Sequence, residues 1–183
     1  MTKEEGVLSE NLSCIVHAGH LAYSEDPAFL CAVCGNGVIV TLRDRVLCIG
    51  GMAHVVYAKI EPQDRPTNFY VDHALHSLFK VLSDLGSSSG RHFEAQIFGG
   101  GHQNGLGKKR AEDCVRKIRK ILRDRKISII SEDVGGTLGR KIIFNTHNGD
   151  TAAIKTSRIR RMDWLPEWEH LIGVKRIAYE RGE

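Results

Sequence analysis

The sequence has no apolar run long enough to cross a membrane. Its longest apolar stretches, around residues 38–42 and 46–49, have the length of strands, whereas a membrane helix needs about 20 apolar residues. The first ten residues are acidic and polar rather than signal-like. We therefore expect neither membrane insertion nor secretion, and we expect a cytoplasmic location.

Cysteine is scarce and odd in number. The five cysteines are Cys14, Cys31, Cys34, Cys48 and Cys114. In a chain without a signal-like start they are expected to be reduced thiols. A chain of 183 residues also buries enough surface to fold as one domain without a metal or disulfide. We expect no cofactor and no metal.

The basic residues are only slightly in excess, but they are concentrated. Lys and Arg exceed Asp and Glu by 26 to 22, and residues 108–126 hold ten of the basic ones against three acidic ones. This patch has no interleaved aromatic residues and no base-reading motif, so nucleic acid is an unlikely partner. A solvated helix face is the ordinary interpretation, and docking of an acidic protein is the next.

Periodicity predicts an α+β fold. Short apolar runs indicate strands at 13–18, 38–42, 46–50 and 53–58, and further strands at 93–97, 127–131 and 141–145. Apolar residues at helical spacing predict one amphipathic helix from Tyr70 onward and a second one over the basic segment. We expect mixed β-sheets with hairpin-like strand pairs, packed together and flanked by helices.

Composition divides the chain into three parts. Residues 1–12 are predicted to be a mobile lead-in, and residues 13–157 to form the folded domain. Residues 158–183, which include Trp164 and Trp168, differ in composition and are predicted to be an appendage.

Four sequence blocks, in this order, resemble the CheD family of chemoreceptor glutamine deamidases. They are Cys-Gly-Asn-Gly-Val-Ile-Val-Thr-Leu at 34–42, Gly-Gly-Met-Ala-His at 50–54, Ala-Gln-Ile-Phe-Gly-Gly-Gly at 95–101 and Ser-Glu-Asp-Val-Gly-Gly-Thr-Leu-Gly-Arg at 131–140. Each block alone is weak evidence, but their order and spacing together are specific. The resemblance covers roughly residues 13–157 and implies the α+β fold described above.

The resemblance also implies a chemistry. Enzymes of that family hydrolyse glutamine side-chain amides on chemoreceptors with a cysteine nucleophile, a histidine base and a threonine that orients the histidine. A carboxamide is a poor electrophile, so an activated thiolate must attack it and the imidazolium must then protonate the departing ammonia.

Two of these three catalytic residues are replaced in this chain. The family's histidine falls on His54, but the family's spacing places its nucleophile at Gly37 and its threonine at Cys31. Loss of the nucleophile from a triad-type enzyme reduces the rate by about 10⁶. The chain is therefore expected to be a CheD-like chemotaxis regulator that binds its partners without deamidating them, with His54 either vestigial or an ordinary buried histidine. The alternative is an active glutamine deamidase that uses a relocated thiol, Cys34 or Cys31, with His54.

Other interpretations of these residues stay open. Cys31 and Cys34 could form half of a zinc site, with Cys48, His54 or the His17 and His20 pair as further ligands, although buried apolar cysteines are commoner. By resemblance, Phe98, Gly99 and Gly100 belong to a surface that binds partners, including the phosphatase CheC. Expected partners are therefore the cytoplasmic region of a chemoreceptor and a CheC-type phosphatase.

Overall fold

A computed structural model describes residues 12–86, 91–102, 105–159 and 179–181. Within these ranges the chain forms ten strands and two helices. Their bounds are β1 Leu12–Ile15, β2 His20–Ser24, β3 Ala28–Cys34, β4 Val38–Asp44, β5 Ile49–Val55, α1 Val71–Asp84, β6 Phe93–Gly99, α2 Lys108–Asp124, β7 Ser128–Val134, β8 Gly139–Asn145, β9 Thr151–Thr156 and β10 Tyr179–Arg181. The α+β class predicted from periodicity is confirmed.

The strands form two sheets. One has four strands in the order β1-β3-β8-β9, and the other has six in the order β10-β2-β5-β4-β6-β7. Both are mixed, because β1 runs parallel to β3 and β7 runs parallel to β6 while the remaining pairs are antiparallel. Two parallel pairs require long connections, and α2 forms most of the connection between β6 and β7.

The six-stranded sheet has a different hydrophobic layer on each face, because successive side chains of a strand point to opposite sides. Val38 and Val40 pack with the apolar faces of α1 and α2. Ile39, Met52 and Phe98 instead pack against Leu30 and Phe144 of the four-stranded sheet. The order of layers is therefore helices, six-stranded sheet, four-stranded sheet.

Several strand predictions needed correction. Residues 46–48 are a turn, and the predicted strands at 46–50 and 53–58 are replaced by the single strand β5. Four strands were not predicted, namely β2, β3, β9 and β10. The strands on either side of the 135–138 turn do not form a hairpin, because β7 belongs to the six-stranded sheet and β8 to the four-stranded one.

The predicted division into three parts stays a prediction. Residues 1–11 of the lead-in, and Trp164 and Trp168 of the appendage, lie outside the described residues. Within the predicted appendage, β10 pairs antiparallel with β2 in the six-stranded sheet.

Candidate functional site

Three glycine-containing turns meet at one end of the two sheets. Residues 35–37 lead from β3 in the four-stranded sheet to β4 in the six-stranded one, and residues 99–101 follow β6. The third turn, around Gly135 and Gly136, returns the chain from β7 to β8. The three sequence blocks that contain these turns, at 34–42, 95–101 and 131–140, therefore lie next to one another in the folded protein.

Main-chain hydrogen bonds hold the turns together. The Gly100 N–H donates to the Gly37 carbonyl at 2.7 Å, and the Gly101 N–H donates to the Gly35 carbonyl at 3.0 Å. The Gly135 N–H donates to the Gly99 carbonyl at 2.8 Å. Gly99 and Gly100 thus support the turn that carries Gly37.

Gly99 is required by both its conformation and its surroundings. Its φ of +110° lies in a region that side-chain-bearing residues rarely adopt. A Cβ at this position would come within 2.5 Å of the Gly37 carbonyl oxygen and 2.8 Å of Cys34 Sγ. The glycine lets β6 approach the 35–37 turn closely enough for the hydrogen bonds to form.

An ion pair reinforces this end of the molecule. Arg140 of β8, which is 2% exposed, donates to the Leu138 carbonyl at 2.7 Å and to Asp133 Oδ1 of β7 at 3.0 Å. The Arg140 hydrogen bond, followed by that of Lys155, holds the pKa of Asp133 below its usual range. The pair joins the two sheets across the third turn.

His54 lies directly against Gly37. The strand β5 places its imidazole between the two sheets, on the same face as Met52, and the side chain is 2% exposed. An ideal Cβ at Gly37 would be 2.6 Å from His54 Nε2 and 3.2 Å from the Val55 carbonyl oxygen. His54 and Gly37 are therefore neighbours, and the imidazole occupies space that a side chain at position 37 would need.

The tautomer of His54 is fixed from the other side of the ring. A carbonyl oxygen can only accept, so Nδ1–H donates to the Val16 carbonyl at 3.3 Å and leaves the lone pair on Nε2, toward Gly37. Burial lowers the pKa of His54 to about 4, against the opposing effect of the Val16 hydrogen bond. The ring is a neutral imidazole at physiological pH.

Val16 was missed as a site residue. Its N–H donates to the Cys31 carbonyl at 2.7 Å, and its own carbonyl accepts from His54. Cys31 is thus linked to His54 through the main chain of Val16. Sequence offers no signal for such a link, because main-chain groups are common to all residues.

The two candidate thiols lie on opposite faces of β3, because they are three residues apart in a regular strand. Cys34 is 1% exposed in the core between the sheets, and burial raises its pKa to about 12. Burial, followed by the nearby Cys14, also raises the pKa of Cys31 to about 12. Both thiols are protonated at neutral pH and are weak nucleophiles.

The described residues contain no group of three or more His, Cys, Asp or Glu side chains placed to hold a metal ion. Cys31 and Cys34 point away from each other, so the zinc alternative has no assembled ligand set in this part of the chain. Among the same residues, no helix is both long and apolar enough to cross a membrane.

A cavity of about 650 Å³ opens beside the 35–37 turn. Its lining includes Asn36, His102, Leu106 and Thr137, and we call it the site cavity. Leu106 is 79% exposed, more than any other large apolar side chain among the described residues. Phe98, in contrast, is 2% exposed in the core between the sheets, so its assignment to a partner surface stays a prediction.

Comparison with known proteins identifies the family. A family model described as CheD chemotactic sensory transduction matches residues 58–155, just over half of the chain. The chain belongs to the CheD family. The matched range begins after His54, so the assignment of Gly37 depends on the sequence blocks and on its contact with the imidazole.

Relatives from archaea and bacteria match a larger part of the chain. A probable chemoreceptor glutamine deamidase CheD of Archaeoglobus fulgidus is 35% identical over 63% of this chain and 75% of its own length. A protein of the same name from Thermococcus kodakarensis is 34% identical over 67% of this chain and 80% of its own. The chemoreceptor glutamine deamidase CheD of Thermotoga maritima is 28% identical over 74% and 87%, respectively.

Proposed function

We propose that this protein is a CheD-type regulator of chemotactic signalling that binds the cytoplasmic region of a chemoreceptor, or a CheC-type phosphatase, without deamidating glutamine. The observation that carries the proposal is the contact between Gly37 and His54. The imidazole is neutral and oriented with Nε2 toward the position of the family's nucleophile. Glycine has no atom there that could attack an amide.

The buried thiols support the same conclusion. A relocated nucleophile must lie within hydrogen-bond reach of its base, about 2.6–3.2 Å and often somewhat looser in apo structures. Cys31 lies on the face of β3 that points away from the core between the sheets, whereas the His54 imidazole lies inside that core. With a pKa of about 12 for Cys34 and about 4 for His54, proton transfer from the thiol to the imidazole is strongly unfavourable.

The rim of the site cavity is the surface we assign to the partner. Leu106 projects from it, and Asn36 lies beside Gly107, where a Cβ would be 2.7 Å from Asn36 Nδ2. A concave surface next to a well-exposed apolar side chain offers both a recess and an apolar contact to a partner. A cytoplasmic location follows from this role.

The activity test incubates the protein with glutamine-bearing chemoreceptor fragments and measures ammonia release and the change in fragment mass. We expect no turnover by the natural protein. Gly37→Cys is expected to gain slow turnover, because its thiol adjoins His54 but the imidazole must first shift. Gly37→Ala is the matched control and is expected to be inactive.

Activity of the natural protein that is lost in Cys34→Ala or His54→Ala would contradict the proposal and establish the relocated thiol.

Binding is measured separately with the same immobilised fragments and with a CheC-type phosphatase. Leu106→Asp is expected to weaken binding at least ~10-fold, as for an exposed apolar anchor. Ile154→Asp, which replaces an apolar residue 53% exposed on β9, is the control. Equal effects of the two substitutions would exclude the cavity rim as the binding surface.

A further inference from the structure

A second surface lies on the other side of the six-stranded sheet from His54. The groove between α2 and residues 57–61 has a volume of about 970 Å³ and twelve lining residues, of which eight are Lys or Arg and two are acidic. We call it the basic groove. The whole chain carries a net charge of only +4, so the residues outside the groove are slightly acidic in sum and the positive charge is concentrated here.

Exposed cations form a stripe along α2. Lys109, Arg116, Lys120 and Arg123 are exposed and line the groove, and Asp113 fills the remaining position of the stripe. The spacing of these five positions is i, i+4, i+7, i+11 and i+14, which keeps them on one helix face. At 1.5 Å per residue the stripe is about 21 Å long. This is the spacing by which one helix packs along another.

The charges of the stripe are available to a partner. Arg116 pairs with Asp113 and Lys120 with Asp124, and these basic side chains are 75% and 65% exposed. Such exposed pairs along a helix contribute little to stability, because solvent screens them. Lys59 and Lys109 have no ion pair within the described residues. A carboxylate-bearing partner can therefore replace or extend these contacts at little cost.

Two features of the groove favour protein over nucleic acid. Its one aromatic residue, Tyr57, has the Arg110 guanidinium 5.4 Å from its ring centre, so this ring face is covered rather than open for base stacking. The carboxylates of Asp113 and Glu61 would repel a continuous phosphate backbone. Separate carboxylates on a helix can be placed to avoid them.

We propose that the basic groove docks an acidic helix of a partner protein against α2, independently of the site cavity. No residue of the stripe contributes to the arrangement of His54 and Gly37. The occupant is defined by its chemistry: glutamate or aspartate side chains repeated at three- and four-residue intervals on one face.

The proposal is tested by fluorescence anisotropy with a labelled alanine-rich helical peptide that bears glutamates at i, i+7, i+11 and i+14 and alanine at i+4, the position opposite Asp113. The natural protein is expected to bind it with an affinity that falls as salt increases. Arg116→Glu/Lys120→Glu is expected to weaken binding at least ~10-fold, because it places like charges together. Lys80→Glu/Arg91→Glu makes the same change in net charge at exposed positions outside the groove and is expected to preserve binding.

Three results would overturn the proposal. They are equal binding of a peptide with glutamine in place of glutamate, equal loss in both double variants, and a single-stranded oligonucleotide that binds more tightly than the peptide and displaces it. Failure here is distinguishable from failure of the proposed function, because Leu106→Asp is expected to leave peptide binding unchanged.

Discussion

Acidification is expected to destabilise this protein through His54. The imidazole is buried between the sheets and its pKa is about 4 in the folded protein, against an ordinary value of 6.5. The folded value is the lower one, so the unfolded chain binds more protons as the pH falls below 6.5. The contribution of the neutral His54 imidazole to the free energy of unfolding is therefore complete above about pH 6.5. It is lost progressively as the pH falls toward 4.

The magnitude follows from the two pKa values. Between about pH 7.5 and about pH 5, one histidine with these values lowers the free energy of unfolding by about 2 kcal/mol. His54→Asn removes the titrating ring but retains a donor near the Val16 carbonyl. The variant will be less stable at neutral pH. Between about pH 7.5 and about pH 5, however, its free energy of unfolding should fall by about 2 kcal/mol less than that of the natural protein.

The assay is urea unfolding of both proteins at a series of pH values. His17, whose pKa burial also lowers, and the carboxylates are common to both, so their contributions cancel in the difference. A His54→Asn variant with the same pH dependence as the natural protein would refute the reasoning. So would an NMR titration in which His54 protonates near 6.5.

Further predictions concern the conformation of Gly99, the buried Phe144 and the reactivity of two cysteines. Gly99→Ala is expected to lower the free energy of unfolding by about 2 kcal/mol or more, because of its φ and its approach to the Gly37 carbonyl; wild-type urea stability would contradict this. Phe144→Ala, at a fully buried position, should lower it by about 3–5 kcal/mol in the same experiment. In the native protein, a thiol reagent should label Cys48 before Cys34, which is 1% exposed with a pKa of about 12; the opposite order would argue for an accessible thiolate.

Elements whose apolar residues recur at regular spacing were predictable from the sequence. The two helices have a clear apolar face, and β6 alternates at its start, so their existence followed from spacing. β3 was missed because nearly all of its residues are buried, which removes the alternation. β9 was missed for the opposite reason, since its residues are mostly exposed.

The site was predictable only in part. The sequence blocks identified His54 and Gly37 as a pair, and the structure places them in contact. The association of the 99–101 turn with the 35–37 turn was not predictable, because it consists of main-chain hydrogen bonds between segments far apart in the chain. For the same reason Val16 carried no signal of its contact with the imidazole.

The hydrogen bonds between the turns have a consequence for how such a protein can change over time. The support of position 37 comes from peptide groups and from glycines elsewhere, not from the side chain at position 37 itself. A substitution at position 37 therefore leaves these hydrogen bonds intact, and the group that must move for a larger residue is the His54 imidazole. Position 37 can thus vary in a single substitution while the main-chain network beside the site cavity persists, so that selection can act on the cavity rim separately from position 37.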